Sequence, residues 1–260
     1  MTGVSLQSVA VGYDGEAVLE SVTASAREGA ITVVAGANAA GKSTLLRVLA
    51  GLAAPMRGTV RWTGGIGGGH SIEPAGLSPR RRAQRSAFLP QRIRLPAGFS
   101  VFEVVAMGRH ALPPSRSRIE SALERFALVS LQDRAVHTLS VGQQQRVGLA
   151  RVAAQHEAGG LLILDEPFAP LDLRELHRAA DWLRAVAAAG ATVVLSVHDL
   201  GLASRLANEV WLLADRRLEA AGPAGEVLAR SRLERMFGAE AIDLALGGVP
   251  PAEARLPEAR

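Results

Sequence analysis

The chain of 260 residues contains no cysteine, which excludes disulfide bonds and thiolate metal sites. No apolar run approaches the roughly 20 residues that a membrane-spanning helix needs, so we expect no segment that crosses a membrane. Residues 1–10 lack a basic start followed by an apolar core, so we expect no signal peptide there. Lysine is almost absent, because Lys42 is the single lysine among 29 Lys and Arg side chains. An ammonium group retained in an arginine-rich chain indicates a specific role at that position.

The composition is otherwise that of a globular protein, with 48% hydrophobic and 21% charged residues, and a chain of this length holds one large domain or two small ones. Residues 31–35 form a β-branched run typical of a buried parallel strand, and residues 42–50 form a predicted helix closed by Gly51. After residue 160, predicted strands and helices alternate, which favours a parallel sheet covered by helices. The predicted strands there are 161–164, 191–197 and 210–213, and the predicted helices are 173–189 and 200–207.

Two other regions have different patterns. Residues 4–9 and 18–26 alternate apolar and polar side chains around a turn, which predicts short strands. Residues 92–155 are mainly helical in pattern, with one helix predicted at 119–128, and they form a predicted helical insertion in an α/β core. The glycine-rich residues 64–69 are predicted to be a mobile surface loop, and we expect little order in about the last twenty residues.

Residues 36–43 fit the phosphate-binding pattern G-x-x-x-x-G-K-[ST] between a predicted strand and a predicted helix. Its glycines let backbone N–H groups turn toward an anion, and the helix start adds the positive end of its dipole. Lys42 is expected to reach the β- and γ-phosphates, and the Ser43 hydroxyl to bind Mg²⁺. A glycine-rich turn that merely caps a helix would not explain Lys42, so the pattern predicts a nucleoside triphosphate site. The candidate binding residues are Gly36, Ala37, Asn38, Ala39, Ala40, Gly41, Lys42, Ser43 and Thr44.

Two acids, Asp165 and Glu166, follow the apolar strand predicted at residues 161–164. Ligands of parallel sheets bind beyond the carboxyl ends of the strands, so both acids are expected beside the phosphate loop. Asp165 would hold Mg²⁺ and Glu166 would polarise the attacking water. The alternative is a solvated acid pair at a strand end, which the preceding phosphate loop disfavours.

A third motif, residues 139–143 with the sequence LSVGQ, resembles the LSGGQ signature of ATP-binding-cassette (ABC) ATPases, and together the ordered motifs cover nearly the whole chain. The resemblance implies an α/β fold of the P-loop NTPase (RecA-like) kind, with a parallel sheet core, an N-terminal antiparallel β subdomain and an inserted helical subdomain. It implies one ABC ATPase domain at 1–238, made of the core with the β subdomain (1–91 and 156–238) and the helical subdomain (92–155), before a tail at 239–260.

The resemblance extends to single positions. Tyr13 resembles the aromatic that stacks on adenine, Gln91 the glutamine that contacts Mg²⁺, Asp172 the D-loop aspartate, and His198 the switch histidine near the γ-phosphate. Taken alone, a turn tyrosine or a strand-end histidine is more often structural, and the ordered set favours the functional interpretation. The implied catalytic residues are Glu166, His198 and Gln91, and the implied Mg²⁺ ligands are Ser43, Gln91 and Asp165.

The resemblance also implies pairing of two copies around ATP, as a homodimer. The signature residues Ser140, Val141, Gly142 and Gln143 would face the γ-phosphate held by the other copy. Three departures from the family pattern are present. Val141 replaces a glycine, and we expect its backbone not to need a positive φ. Ala39 replaces a frequent loop glycine, a change that is tolerable if its φ is negative, while residues 168–170 replace small polar residues.

Residues 80–91 and 100–109 are similar to stretches of importers of metal chelates: haem, siderophore-bound iron and cobalamin. This resemblance implies two transmembrane permease subunits, indirect action with a periplasmic or extracellular solute-binding protein, and a peripheral place on the cytoplasmic side of the cell membrane. Import of another small solute is the alternative within this class.

Other classes fit the sequence less well. The arginines at residues 80–85 could form a nucleic-acid patch, as in ABC ATPases that act on DNA or ribosomes. No aromatic residues are interleaved for base stacking and no long coiled-coil insertion is present, so we expect no nucleic-acid partner. A P-loop kinase or regulatory nucleotide switch would need neither the signature nor His198.

Overall fold

The structure is a computed structural model, and it describes residues 2–64 and 69–237. Most of the loop predicted at 64–69 and the whole tail predicted at 239–260 lie outside these ranges. None of the helices in the described ranges combines the length and hydropathy that crossing a membrane requires.

The strands and helices follow the chain in this order. The strands are β1 (Thr2–Tyr13), β2 (Glu16–Arg27), β3 (Ile31–Gly36), β4 (Arg57–Trp62), β5 (Ser86–Leu89), β6 (Leu161–Leu164), β7 (Thr192–Ser196), β8 (Glu209–Ala214) and β9 (Arg217–Pro223). The α-helices are α1 (Lys42–Leu49), α2 (Pro79–Ala83), α3 (Val101–Ala106), α4 (Arg116–Arg125), α5 (Val141–Gln155), α6 (Leu173–Ala188), α7 (Leu200–Leu206), α8 (Ala224–Val227) and α9 (Arg230–Phe237). Short 3-10 turns join several of them.

The central sheet has the strand order β5-β6-β7-β3-β8-β9, in which all pairs are parallel except β8 with β9. Strands β6 and β7 are buried along their whole length, as continuous apolar runs in a covered parallel sheet should be. The predicted α/β core is therefore confirmed. Because β3, β5, β6 and β7 are parallel, the segments that follow them emerge at one edge of the sheet.

A second, antiparallel sheet has the order β2-β1-β4 and confirms the predicted N-terminal β subdomain. Strands β1 and β2 are 12 residues each, longer than predicted, because register shifts along the ladder let the pair continue past local irregularities. The turn between them places Asp14 and Gly15 at positive φ. Strand β4, which the sequence pattern did not predict, completes this sheet.

Helices α3, α4 and α5 lie between β5 and β6 in the chain and share one buried apolar cluster with the helix-covered side of the central sheet. Phe126 and Trp182 meet edge to face within it, with ring centroids 5.5 Å apart. The helix predicted at 119–128 was wrong in its bounds, because α4 starts after the Ser115 N-cap and ends before Ala127, whose φ is 52°. The subdomain boundaries remain a prediction.

Helices α5 and α6 both begin with a capping box. Ser140 Oγ accepts a hydrogen bond from the Gln143 N–H (3.3 Å), and Gln143 Oε1 accepts one from the Ser140 N–H (2.9 Å). Asp172 Oδ1 accepts from the Glu175 N–H (2.8 Å), and Glu175 Oε2 accepts from the Asp172 N–H (3.4 Å). These reciprocal bonds satisfy N–H groups that would lack partners at a helix start, and they fix the orientation of both N-terminal turns.

Candidate active site

The phosphate loop joins β3 to α1, and two of its glycines are required by geometry. Gly36 has a φ of 150°, and a Cβ there would lie 2.4 Å from the Leu213 carbonyl oxygen. Gly41, the N-cap of α1, has a φ of 89°, and a Cβ there would lie 2.8 Å from Leu19 Cγ. The loop can therefore pass close to its neighbours only with glycine at both positions.

The two positions where this chain replaces a glycine, 39 and 141, differ in backbone conformation. Ala39 has a φ of 62°, so the condition under which the change would be free of strain is not met. A left-handed non-glycine residue costs on the order of 1 kcal/mol, which the rest of the loop must offset. Val141 begins α5 and is not among the positive-φ residues of the described chain, as expected. Valine at this signature position therefore causes no backbone strain.

Lys42 is held inside the loop by its own carbonyl groups. Its Nζ donates hydrogen bonds to the carbonyl oxygens of Gly36 (2.8 Å) and Ala37 (2.9 Å), and the residue is only 5% exposed. Burial lowers the pKa of the Lys42 ammonium, while the negative charges of Glu166 and Asp165 oppose that shift. The result is a compact cation fixed beside the helix N-terminus, where an anion is favoured.

The acidic pair at the end of β6 is fixed by a residue that the sequence analysis missed. Ser196, the last residue of β7, donates through Oγ to Asp165 Oδ1 (2.7 Å) and accepts from the Glu166 N–H (2.9 Å). Asp165 is 2% exposed, and Glu166 adopts a φ of 48°. The backbone therefore turns between the two acids, which sends their carboxylates to different places. Ser196 could have been identified from the sequence, because it lies at the end of a predicted strand and the two acids also follow a predicted strand.

Two other predicted residues, Gln91 and His198, contact the Glu166 carboxylate. Gln91 Nε2 donates to Glu166 Oε2 (2.9 Å), and His198 Nε2 contacts Glu166 Oε1. The three residues follow β5, β6 and β7, so the parallel sheet brings together positions far apart in sequence. Glu166 is thus held from both sides at the edge of the sheet.

These groups face a cleft of about 470 Å³, a volume within the range of small-molecule sites. Most of the residues predicted from the phosphate loop line it, together with Val18, which the sequence analysis did not identify. The lining residues are Val18, Asn38, Ala39, Ala40, Gly41, Lys42, Ser43, Thr44, Gln91, Glu166 and His198. Gly36, Ala37 and Asp165 do not line it; the carbonyls of Gly36 and Ala37 accept from Lys42 Nζ, and Asp165 accepts from Ser196.

Tyr13 lies near the cleft, next to the first turn of α1. Its hydroxyl shares a hydrogen bond with Thr44 Oγ1 (3.2 Å) and accepts one from Arg47 Nη1 (3.3 Å), and the residue is half exposed. Stacking of Tyr13 on adenine stays a prediction. Arg47, which orients the phenol, was not identified from the sequence.

The signature residues do not line this cleft, although Val141 lines an adjoining groove together with Gln91 and Glu166. Among the residues that the structure describes around the cleft, Ser140, Gly142 and Asp172 are not included. They lie at the N-terminal ends of α5 and α6, where Val141 is 72% exposed and Leu173 is 83% exposed. One chain therefore does not bring its signature residues to its own phosphate loop.

The oxygen donors at the cleft suit Mg²⁺. The Ser43 hydroxyl lines the cleft and makes no hydrogen bond to any described residue, and Asp165 Oδ1 is oriented by Ser196. Within residues 2–64 and 69–237, no group of three or more His, Cys, Asp and Glu forms a metal cage. Mg²⁺ does not require one, because it commonly takes one or two protein ligands together with substrate phosphates and water.

Comparison with known proteins gives a consistent family. A family model described as ABC transporter matches residues 19–169. The chain is 40% identical over 248 residues to a hemin import ATP-binding protein HmuV of Bordetella pertussis, covering 91% of this chain and 92% of that protein. It is 36% identical over 255 residues to the protein of the same name from Rhodopseudomonas palustris BisB18, covering 94% and 90%.

Solved structures agree. The fold matches an ATP-binding subunit of an ABC transporter with a TM-score of 0.77 and 25% identity, covering 95% of this chain and all of that one (100%). It matches a chain of a transporter described as metal-chelate type, in an inward-facing conformation, with a TM-score of 0.72 and 25% identity, covering 91% and 89%.

Proposed function

The chain belongs to the ABC transporter family, and from this premise we propose that it powers an importer of haem or a related metal chelate. As an ABC ATPase it hydrolyses ATP to ADP and phosphate. Import of haem is supported by the names of relatives that match over nine-tenths of the chain. The alternative is import of a different small solute by the same machinery.

The observation that carries the catalytic proposal is the meeting of Gln91, Glu166 and His198 beside the phosphate loop. Lys42 and the loop N–H groups bind the phosphates. Glu166 accepts the proton of the attacking water as the new bond to the γ-phosphorus forms and the bond to the β–γ bridging oxygen breaks. Gln91 and His198 hold the Glu166 carboxylate in place. Ser43, Asp165 and Gln91 would hold Mg²⁺, and its charge would offset that of the phosphates.

Pairing with a second copy is the next part of the proposal. Ser140 uses its oxygen to accept from the Gln143 N–H, so its own hydroxyl hydrogen is left to donate to a phosphate. The adjacent apolar side chains, Val141 and Leu173, are the two most exposed of the large hydrophobic residues among the described part of the chain. A second copy covering this face would bury both and supply Ser140 to the other cleft. ATP then joins the two copies, and hydrolysis releases them.

The substitution Lys42→Ala tests the phosphate site. We expect the affinity for ATP to fall by at least about tenfold, the loss expected for a hydrogen bond between charged groups. Lys42→Arg should not restore it, because the branched guanidinium does not fit the two-carbonyl cradle of Gly36 and Ala37. Binding of a fluorescent ATP analogue to the purified chain measures both. Wild-type affinity in Lys42→Ala would refute the assignment of the loop.

A second groove supports partnership with two transmembrane permease subunits. The chain would bind them on the cytoplasmic side of the cell membrane. It has a volume of about 530 Å³ and lies between α2, the 3-10 turn after α3, and α5. Arg151 and Arg80 line it with His110 and Met107. Burial lowers the pKa of Arg151, and no hydrogen bond or ion pair joins this guanidinium to another described residue. The groove therefore offers an uncompensated positive charge to a carboxylate on a permease loop.

The other arginines of residues 80–85 argue against a nucleic-acid partner. Arg82 donates to the Leu77 carbonyl oxygen (3.0 Å) and Arg85 to that of Arg81 (3.4 Å). Part of the cluster thus stabilises the short helix α2 and its flanks, and is not a free phosphate-binding row.

Arg151→Gln is expected to weaken co-purification with the permease by several-fold while leaving the ATPase activity of the isolated chain unchanged, because Arg151 lies in the groove and not in the cleft. Arg57→Gln, at an exposed position at the start of β4, is the matched control and should have no effect. If wild type and Arg151→Gln recover the same amount of permease at equal thermal stability, the groove does not bind the permease.

Transport itself is tested in vesicles that contain the chain, its co-purified permease and the solute-binding protein. ATP-dependent accumulation of haem is the expected result, with ferric siderophores and cobalamin as the comparison solutes. Accumulation of an unrelated small solute, with none for haem or the other chelates, would contradict the substrate proposal and leave the ATPase assignment intact.

A further inference from the structure

We propose that Arg146 and Glu175 form a positioning pair that joins the second turn of α5 to the first turn of α6, so that Ser140 and Asp172 meet a second copy as one rigid face. This inference rests on the proposed pairing of two copies. Neither residue lines the cleft among the described residues, and neither is a catalytic residue.

The pair links two helices that belong to different parts of the chain. Arg146 Nε lies 2.8 Å from Glu175 Oε1, and the two side chains are only 13% and 21% exposed. The contact is an ion pair by distance and not a hydrogen bond, because the buried Nε makes no hydrogen bond to a described residue. Arg146 is in the second turn of α5, and Glu175 is in the first turn of α6. Because the contact is largely shielded from water, its Coulomb attraction is stronger than that of an ion pair on an open surface.

Glu175 serves both the ion pair and a helix cap. Its second oxygen, Oε2, accepts from the Asp172 N–H (3.4 Å), while Asp172 Oδ1 accepts from the Glu175 N–H (2.8 Å). The positive charge of Arg146 therefore attracts the carboxylate that completes the capping box of α6. A movement of α5 relative to α6 would disturb the cap and, with it, the orientation of Asp172.

Arg146 also holds the end of α4. Its Nη1 donates to the carbonyl oxygens of Phe126 and Ala127, each at 3.0 Å. Ala127 has the left-handed φ of 52° that ends the helix. One guanidinium thus joins three segments: the end of α4, the body of α5 and the start of α6.

The backbone confirms how closely the two helix starts lie. A Cβ built on Gly142 would be 2.9 Å from the carbonyl oxygen of Pro170, two residues before Asp172. The first turn of α5 is therefore in direct contact with the segment that leads into α6, and the Arg146–Glu175 pair lies one turn further along α5. Together the contacts make the signature and the D-loop a single unit.

The test is a double-mutant cycle on the ATPase activity of the full chain. Arg146→Gln and Glu175→Gln remove charge from either side, and the glutamine at 175 still has an oxygen to accept from the Asp172 N–H. We expect each variant to raise by about tenfold the chain concentration at which ATPase activity is half-maximal, within the range for coupled residues in contact. The double variant should be no worse than either single one.

Two measurements separate positioning from general damage. ATP affinity of the isolated chain should be unchanged in all three variants, because the phosphate loop is not touched. Glu157→Gln is the matched control, since it removes ion pairs with Arg109 and Arg118 at the opposite end of α5. It should affect thermal stability without moving the half-maximal concentration.

The outcomes distinguish this inference from the function on which it rests. If wild-type ATPase activity does not depend on chain concentration, the proposed pairing fails. If wild type depends on concentration but the variants keep its half-maximal value, or if the two single effects multiply in the double variant, the positioning pair is wrong and the pairing stands.

Discussion

Glu166→Gln retains ATP binding while steady-state ATP hydrolysis falls by about two to four orders of magnitude, the contribution typical of a general base. Glutamine has nearly the same shape, and its amide oxygen can still accept from Gln91 Nε2, so the cleft should keep its form. The amide cannot take a proton from water. Binding and turnover therefore separate in this variant.

The measurement combines ATPase assays and nucleotide binding on the same preparation. Glu120→Gln is the control, because Glu120 is an exposed acid paired with Arg116 on α4 and should leave turnover unchanged. Near-normal turnover in Glu166→Gln would show that another group accepts the proton. Loss of ATP binding would show instead that the carboxylate holds the loop together.

Ser140→Arg is expected to lower ATP turnover by about a thousandfold, while one chain still binds ATP. This is the lower end of the rate effect of an arginine that one protein supplies to phosphoryl transfer in another. Ser140 lies at the start of α5 and not in the cleft of its own chain. A bulky cation there replaces a hydroxyl donor, removes the helix cap and opposes the positive end of the α5 dipole.

The control for Ser140→Arg is another N-cap serine. Ser115 caps α4, where its Oγ accepts from the Arg118 N–H (3.4 Å). Ser115→Arg should cost about 1 kcal/mol of stability, as for a lost N-cap, and leave ATP turnover nearly normal. If Ser140→Arg behaves the same way, the signature does not act on the phosphate of a second copy.

The sequence allowed the parts of the fold with a strong local signal to be predicted. Strands β3, β6 and β7 are continuous apolar runs, and the motif residues follow directly after them, so their meeting at one sheet edge follows from parallel topology. Strands β4 and β9 were missed. Each pairs antiparallel with one neighbour and contains exposed Arg, Glu or Gly residues. Their stability therefore comes from pairing with distant strands and not from propensity.

The details of the candidate site depend on contacts that no local pattern encodes. Ser196 lies 31 residues from Asp165 in sequence and reaches it only because β6 and β7 are neighbours in the sheet. The left-handed φ of Ala39 is imposed by closure of the loop around Lys42, against the local preference of alanine. Arg146 and Glu175 meet only after the helical insertion packs on the core.

The most direct test of the shared site is the ATPase activity per chain across a dilution series, read beside the association state by sedimentation. If two copies complete each site, activity per chain falls on dilution as the chain becomes monomeric, and Glu166→Gln forms a dimer only when ATP is present. Full activity per chain in dilute, monomeric protein would contradict the account.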